Sequence, residues 1–347
     1  MKRRKSCLIL TMFLLAFLPY YCFSEDSKLH VSASAQAWQE GKAECVMELD
    51  SRRIVYASNA DVRLPMASTT KILTAITVLE SCNDVTKKIE IPGNAVGVEG
   101  SSVYLKEGEI YSIEELLYGL MLRSGNDCAV ALALSVGGSI ENFCAKMNFI
   151  AQKAGALESN FCNPHGLPNK NHYTTAKDLT LITCYALQNP FFKRIVSTSF
   201  YEAKNWQNKN KLLRFYEGAI GVKTGYTKEA GRCLVSAVER NGTTLVCTLL
   251  SCPTTYERTV KLINDAFSAY TKQLILAKDQ VLSFFDGKKK IQAVSRRDFY
   301  YPILEEEKEL IEIKCNPYKT TNSKNIVGQF EIYLAKRLLF SGNLYKL

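Results

Sequence analysis

Histidine is scarce in this chain of 347 residues, which contains only His30, His165 and His172. None of the twelve cysteines forms a C-x-x-C pair, so the ligand spacing of a structural zinc site is missing. The sequence also lacks internal repeats and low-complexity tracts, and after residue 23 it has no apolar run long enough to span a bilayer. These absences disfavour a zinc protein, a repeat protein and a protein with several membrane spans.

The N-terminus has the pattern of an export signal. The cationic residues 2–5, Lys-Arg-Arg-Lys, precede the apolar run Cys7–Phe23 in a chain whose formal net charge is +10. We predict a signal peptide over residues 1–24, and an uncleaved membrane anchor is the alternative. Because the chain is 47% hydrophobic and long enough for about two domains, we further predict domains over residues 25–275 and 276–347.

The cysteines are scattered along the chain, and several of them fall in apolar segments, where a free thiol behaves as a small hydrophobic side chain. Those in apolar segments are Cys45, Cys144, Cys233 and Cys247. We therefore expect mostly reduced, buried thiols. A disulfide stays open as an alternative, and Cys233 and Cys247 are the pair to test, on the hypothesis that they face each other across the hairpin predicted between them.

The segment "MASTTKILTA" (66–75) places a serine and a lysine one helical turn apart. Ile72, Ala75 and Ile76 follow with the spacing of an apolar helix face. Ser68 and Lys71 lie three residues apart and hence on one surface, where partial desolvation of the lysine favours a neutral amine that can accept a hydroxyl proton. The competing interpretation is a helix N-cap serine followed by a lysine that extends to solvent.

The remaining patterns predict a helical cluster between two strand-forming regions. Ser112 and Glu115 have the spacing of a capping box, and further helices are predicted near residues 128–136 and 140–154. Two β-branched runs flank Asn241–Gly242, a strong hairpin signal, and a helix follows over residues 255–270. From about residue 277 the apolar residues alternate with a period of two, which predicts a separate all-β region. The fold class is α/β.

Three short motifs carry candidate chemistry: Ser68-x-x-Lys71, Ser124–Gly125–Asn126 and Lys223–Thr224–Gly225. Each alone is weak, but their order and setting match the S-x-x-K, S-D-N and K-T-G set of the penicillin-recognising serine acyltransferases. With the flanking segments "RLPMASTTK", "NPHGLPNKNHYTTAKDL" and "GVKTGYTKEAGRCLVSA", the chain resembles the D-alanyl-D-alanine carboxypeptidases, the low-molecular-mass penicillin-binding proteins. The resemblance runs from about residue 38 to 267, and more weakly through the β-rich tail.

The resemblance implies a β-lactamase/transpeptidase-like domain, an antiparallel sheet flanked by helices plus an all-helical cluster, followed by a small all-β domain. It implies that Ser68 is the nucleophile, that Lys71 is the base and that Ser124 belongs to a proton relay. Hydrolysis would pass through an acyl-enzyme at Ser68. No metal and no cofactor is implied.

The same resemblance assigns substrate-binding roles. Asn126 would hydrogen-bond the substrate amide, and Lys223 and Thr224 would hold the terminal carboxylate. Gly225 would let the substrate backbone lie against its strand. The backbone N–H groups of Tyr226 and of the nucleophile would form the oxyanion hole.

The implied partners are peptidoglycan stem peptides that end in D-Ala-D-Ala, and β-lactams as covalent inhibitors. The expected location is the extracytoplasmic face of the membrane or the cell wall, with no nucleic-acid partner. The chain ends in "LLFSGNLYKL", which predicts a last β-strand and no membrane-binding helix. We therefore expect membrane contact only through the N-terminal segment, if that segment is uncleaved.

Three rival functions remain at this stage. A β-lactamase shares the motifs but needs a glutamate to activate the deacylating water, and Glu158 has a plausible spacing for it. A transpeptidase would transfer the acyl group to another peptide's amine, and a silent peptidoglycan-binding protein would have no need of an activated serine. His165 is interpreted as structural, while Arg258 fits either carboxylate binding or a surface role.

Overall fold

The structure is a computed structural model, and it describes residues 42–318 and 325–347. The predicted signal peptide lies outside these residues. The helices are α1 (Lys71–Ser81), α2 (Ile113–Tyr118), α3 (Asn126–Gly137), α4 (Ile140–Lys153), α5 (Ala176–Leu187), α6 (Pro190–Ser197), α7 (Leu212–Phe215) and α8 (Thr255–Ala269).

The strands in the described part of the chain are β1 (Ala43–Glu48), β2 (Ile54–Ser58), β3 (Lys88–Glu90), β4 (Ile110–Ser112), β5 (Phe200–Tyr201), β6 (Trp206–Gln207), β7 (Ala219–Thr227), β8 (Gly231–Arg240), β9 (Thr243–Leu250), β10 (Thr271–Leu276), β11 (Val281–Asp286), β12 (Lys289–Val294), β13 (Phe299–Ile303), β14 (Ile311–Pro317), β15 (Ile326–Leu334) and β16 (Arg337–Lys346).

The central sheet is antiparallel and has the order β2-β1-β9-β8-β7. The predicted hairpin is confirmed, because Arg240 pairs with Thr243 across Asn241 and Gly242, both of which have positive φ. Two consecutive residues with positive φ form the tight turn that matches strand twist, which is why an Asn-Gly pair occurs there. β7, which carries the Lys223 motif, is an edge strand of this sheet, so one side of its backbone is open.

The helical cluster covers the face of this sheet on which α5 lies and surrounds α1. Every residue of α1 from Lys71 to Val78 is buried, so this helix lies within the core instead of presenting only one face to it. The predicted capping box is confirmed: the Ser112 hydroxyl accepts from the Glu115 N–H, and the Glu115 carboxylate accepts from the Ser112 N–H. The sequence prediction of an α/β fold with a helical cluster is confirmed.

The β-rich tail contains a five-stranded sheet of order β11-β12-β16-β15-β14 and the pair β10–β13. Its small core packs Phe284, Phe299 and Phe330 with neighbouring aliphatic side chains. The all-β prediction is confirmed, and the chain's last strand is β16, as expected. The predicted boundary between residues 275 and 276 falls inside β10, and the division into domains stays a prediction.

In the part of the chain that the structure describes, no single helix is both long and apolar enough to cross a membrane. Only α3 and α4 taken together meet that criterion, and they are bent by 88°.

Several cysteines are buried free thiols, as expected of small hydrophobic side chains, and they are Cys45, Cys128, Cys144, Cys184, Cys233 and Cys247. The hypothesis that Cys233 and Cys247 face each other is wrong, because the register of β8 and β9 pairs Cys247 with Ser236.

Arg53, which follows the turn between β1 and β2, fixes the tail to the central sheet. Its guanidinium donates to both carboxylate oxygens of Glu307 at 2.6 and 2.8 Å and to the Pro302 carbonyl at 2.6 Å. It also lies against the rings of Tyr270 and Tyr301. The Arg53 and Glu307 side chains are only 9% and 13% exposed, so water weakens this pair far less than it weakens a surface pair.

Replacing Arg53→Met tests this contact. We expect the free energy of unfolding to fall by about 2 to 3 kcal/mol, because Glu307 keeps a desolvated carboxylate without its guanidinium. Chemical denaturation measures the change. Lys308→Met is the control, since Lys308 pairs with the exposed Glu305 and should contribute less than about 1 kcal/mol. Equal losses in the two variants would contradict the proposed importance of Arg53.

Candidate active site

Ser68 lies on a one-turn 3₁₀-helix, Ala67–Thr70, that leads directly into α1. We call this segment the Ser68 turn. Ala67 has a positive φ of 50°, and the Thr70 hydroxyl donates to the Ala67 carbonyl at 2.8 Å. Lys71 is the first residue of α1, so the serine precedes the helix while the lysine begins it. The predicted placement of this pair, one turn apart at a helix start, is confirmed.

The Lys71 amine has three hydrogen-bond partners that suit a proton acceptor. Its Nζ lies 3.0 Å from Ser68 Oγ, 2.7 Å from Asn126 Oδ1 and 2.7 Å from the His165 carbonyl oxygen. The last two atoms can only accept hydrogen bonds. A neutral amine therefore donates its two N–H groups to Asn126 and His165 and turns its lone pair towards the Ser68 hydroxyl. This geometry lets Lys71 take the proton of Ser68.

Burial and neighbouring cations favour the neutral form of Lys71. The side chain is fully buried, which contradicts the alternative that it extends to solvent. Burial lowers the pKa of Lys71 well below its usual value, and the positive charges of Lys223 and Lys209 lower it further.

The loop 163–167, "NPHGL", holds Lys71 and α1 through its backbone. Besides the His165 carbonyl, its Pro164 carbonyl accepts from the Thr74 hydroxyl at 2.6 Å. Gly166 has φ +90°, and a Cβ at this position would lie 1.9 Å from the Ala67 carbonyl oxygen. Only glycine permits this approach. The sequence argument identified the segment by resemblance but missed these backbone roles.

The two histidines of this region serve as neutral hydrogen-bonding groups. Burial, with a contribution from Lys71, lowers the pKa of His165 to about 4, which agrees with its structural interpretation. Burial also lowers the pKa of His172 to about 3. His172 Nδ1 accepts from the Cys162 N–H, so its Nε2 donates to the Thr70 hydroxyl at 2.8 Å. His172 thereby supports the Ser68 turn, a role that sequence reasoning did not find.

Ser124 and Asn126 lie at the junction between a π-helical turn and α3. A π-helical turn, Gly119–Arg123, ends at Ser124, whose left-handed backbone (φ 65°) precedes α3. Such π-turns occur often at functional sites. The Asn126 N–H donates to the Ser101 carbonyl at 2.7 Å, and its side-chain amide donates to the Glu99 carbonyl. Both serine and asparagine are nearly fully buried, in a loop whose backbone is fixed on either side.

Lys223, on β7, is buried and its Nζ donates to the Thr224 carbonyl at 2.9 Å. Burial and the charge of Lys209 lower the pKa of Lys223 to about 7. Tyr226 lies farther along the strand with a side chain that is 65% exposed. An anion that approaches the open edge of β7 would stabilise the charged form of Lys223.

Gly225 brings β7 against the Ser68 turn. A Cβ at Gly225 would lie 3.1 Å from the Ser68 and Thr69 backbone nitrogens and from the Met66 carbonyl oxygen. A side chain would push the strand away from the nucleophile. Glycine is therefore needed at position 225 so that β7 can pack against the Ser68 turn. This requirement is separate from the predicted role of Gly225 in leaving space for a substrate backbone.

Two residues that sequence reasoning left open have other partners. The Arg258 guanidinium donates to the buried Glu44 carboxylate at 2.6 and 2.9 Å and to the Tyr56 hydroxyl, a structural ion pair between α8 and β1. Glu158 forms an ion pair with Arg63, and both side chains are 54% exposed. This solvated carboxylate does not have the environment of a buried catalytic base.

Comparisons with known proteins show which family the sequence resembles. A family model described as D-alanyl-D-alanine carboxypeptidase matches residues 30–254. The D-alanyl-D-alanine carboxypeptidase DacF of Bacillus subtilis is 31% identical over 305 residues, which covers 83% of this chain and 77% of that protein. The D-alanyl-D-alanine carboxypeptidase of Streptomyces sp. strain K15 is 36% identical over 240 residues, or 62% of this chain and 82% of that protein.

Solved structures show the same fold. Penicillin-binding protein 5 of Haemophilus influenzae superimposes with a TM-score of 0.75 at 24% identity, over 90% of this chain and 98% of that one. The Streptomyces K15 DD-transpeptidase superimposes with a TM-score of 0.63 at 32% identity, over 68% of this chain and 100% of that one.

The hypothesis that neutral Lys71 is the base for Ser68 can be tested with the substitution Asn126→Asp. A carboxylate 2.7 Å from the amine would favour the ammonium form, so the pKa of Lys71 rises and Ser68 becomes reactive only at higher pH. Labelling of Ser68 by a fluorophosphonate, followed by mass spectrometry between pH 5 and 10, measures the shift. Asn241→Asp, at the exposed hairpin tip, is the matched control. An identical pH profile in both variants would contradict Lys71 as the base.

Proposed function

This chain belongs to the D-alanyl-D-alanine carboxypeptidase family, and from that premise we propose how its residues carry out the reaction. The protein is a serine hydrolase that removes the terminal D-alanine from peptides ending in D-alanyl-D-alanine. The observation that supports a direct role for Ser68 is the 3.0 Å contact between its hydroxyl and the fully buried Lys71 amine, whose two N–H groups have fixed acceptors elsewhere.

The first step of the proposed mechanism is acylation. Neutral Lys71 removes the Ser68 proton as Oγ forms a bond to the carbonyl carbon of the penultimate D-alanine. The negative charge that develops on the carbonyl oxygen is stabilised by the backbone N–H groups of Ser68 and Tyr226. The C–N bond then breaks, and Ser124 relays a proton from Lys71 to the nitrogen of the departing D-alanine.

The second step is hydrolysis of the ester. With the first product gone, Lys71 is again neutral and can take a proton from a water molecule that attacks the acyl carbon. The C–O bond to Ser68 breaks, and the proton returns to its oxygen. The enzyme is regenerated without any change in oxidation state.

Substrate orientation follows from charge and from the open edge of β7. Lys223 and Thr224 bind the terminal carboxylate, and Gly225 leaves the strand accessible. Asn126 already accepts from Lys71 and donates to the Glu99 carbonyl, but its Oδ1 and Nδ2 each retain one further hydrogen-bonding position for the substrate amide.

The proposed substrate is the peptidoglycan stem peptide, and β-lactams are the proposed covalent inhibitors of Ser68. Both follow from family membership, as does an extracytoplasmic location at the membrane or cell wall. A β-lactamase function is disfavoured because Glu158 is solvated and paired with Arg63. We further propose that the N-terminal segment directs export.

The reaction itself can be tested by mass spectrometry of a stem pentapeptide ending in D-Ala-D-Ala. The wild type should release one alanine, and Ser68→Ala should lose at least about a thousandfold in rate because no acyl-enzyme can form. Ser283→Ala, an exposed serine in the β-rich tail, should behave as the wild type. A peptide dimer as the main product would indicate a transpeptidase, and no product from the wild type would refute the proposal.

The lowered pKa of Lys223 predicts the basic limb of the pH profile. Because this amine is charged only below about pH 7, kcat/KM should fall as the pH rises through 7 to 8 and the carboxylate partner is lost. Lys223→Arg should move that limb beyond about pH 9, since a guanidinium keeps its proton. Steady-state rates from pH 5 to 10 measure the pH at which kcat/KM falls in the wild type and in the variant. A basic limb that stays in place would show that another group controls it.

A further inference from the structure

A cleft of about 400 Å³ opens beside the Ser124 loop, and neither the motifs nor the proposed mechanism uses it. Its walls come from the segment 102–104, from β6 and from the π-helical turn that ends at Arg123. The lining combines three aromatic rings, those of Tyr104, Phe200 and Trp206, with one guanidinium, that of Arg123. The other lining side chains are mostly polar, so the cleft offers aromatic surface, hydrogen-bonding groups and one positive charge to a ligand.

Two of the three aromatic rings that line the cleft are exposed to solvent. Tyr104 is 84% exposed although its backbone has a positive φ of 64°, and Phe200 is 45% exposed. The Tyr104 N–H donates to the Ser102 hydroxyl at 2.8 Å, which fixes this conformation. The Tyr104 ring is therefore held in one position on the surface, where it is accessible to a bound ligand.

Arg123 carries a positive charge without an acidic partner. Within residues 42–318 and 325–347, no carboxylate lies within ion-pair distance of it, and its one side-chain hydrogen bond is a long contact of 3.4 Å to the Gln207 carbonyl. A second cation, Lys209, lies nearby, and burial and the charge of Arg123 both lower the pKa of its amine. An anion that bound between these two cations would reduce the repulsion between them.

The cleft is fixed to the catalytic loop. The Asp127 carboxylate accepts from the Ser102 hydroxyl at 2.5 Å and from the Val103 N–H at 3.0 Å. Arg123 immediately precedes Ser124, and Lys209 Nζ lies 3.0 Å from the Ser101 hydroxyl. A group bound in the cleft is therefore placed at a constant distance from Ser124 and Asn126.

We propose that this cleft binds the stem-peptide side chain that precedes the D-alanyl-D-alanine pair, and that Arg123 pairs with a carboxylate on that side chain. The aliphatic part of the side chain lies against Tyr104 and Phe200, while the carboxylate replaces the missing counter-ion of Arg123. The bidentate geometry of a guanidinium suits a terminal carboxylate. This inference rests on the proposed carboxypeptidase function, and it names the class of substrate that the same site prefers.

The test uses two stem pentapeptides that end in D-Ala-D-Ala and carry meso-diaminopimelate as the third residue. In one peptide the side-chain carboxylate is free, and in the other it is a carboxamide of the same size. For the wild type we expect kcat/KM to be about tenfold higher for the peptide with the free carboxylate. The difference should appear in KM, because the carboxylate contributes one charge-assisted contact at a partly exposed site. Arg123→Gln should remove this preference and leave the rate for the amidated peptide within about twofold.

Two further variants separate binding from indirect effects. Arg194→Gln removes an exposed arginine from a surface ion pair and should keep the preference for the free acid. Tyr104→Ala, which deletes an exposed ring, should raise KM for both peptides without changing kcat. If Arg123→Gln slows both peptides equally, or if the wild type does not distinguish them, the inference is wrong. If the wild type hydrolyses neither peptide, the proposed function itself fails.

Discussion

The buried amine of Lys71 is the constraint on which the rest of this structure depends. An amine with no access to water must have each of its hydrogen-bonding positions filled by the protein. Here the partners come from three separate segments: the Ser68 turn, the start of α3 and the "NPHGL" loop. The helical cluster, the left-handed backbone at Ser124 and the glycine at Gly166 all serve to bring those partners within 3 Å of one nitrogen.

A second constraint is the excess of positive charge around the nucleophile. Lys71, Lys223, Lys209 and Arg123 lie near one another, and in the described part of the chain none of them forms an ion pair with a carboxylate. Burial, together with the repulsion of neighbouring cations, lowers the pKa values of Lys71, Lys209 and Lys223, and keeping these charges together costs folding free energy. The same arrangement makes the site complementary in charge to a peptide that carries carboxylates, as the proposed function requires.

The sequence predicted the parts of the site that depend on side-chain chemistry. Ser68, Lys71 and the Lys223 motif could be proposed because their order resembles the S-x-x-K, S-D-N and K-T-G set, while helical and strand period predicts their local setting. It could not predict contacts made by backbone atoms distant in sequence, such as the His165 carbonyl, or the packing of Gly225 against the Ser68 turn. The Cys233–Cys247 hypothesis failed for a related reason, since hairpin register depends on the turn position and places Ser236 opposite Cys247.

The buried thiols have a consequence for the chemical lifetime of the protein. Burial raises the pKa of Cys45 and of Cys184 to about 12. At neutral pH these thiols are therefore almost entirely protonated, whereas the thiolate is the form that reacts with oxidants and disulfides. Oxidation of these sites must wait for the core to open. The opening equilibrium of the core around β1 and α5, more than the redox potential of the surroundings, determines how long these cysteines stay reduced.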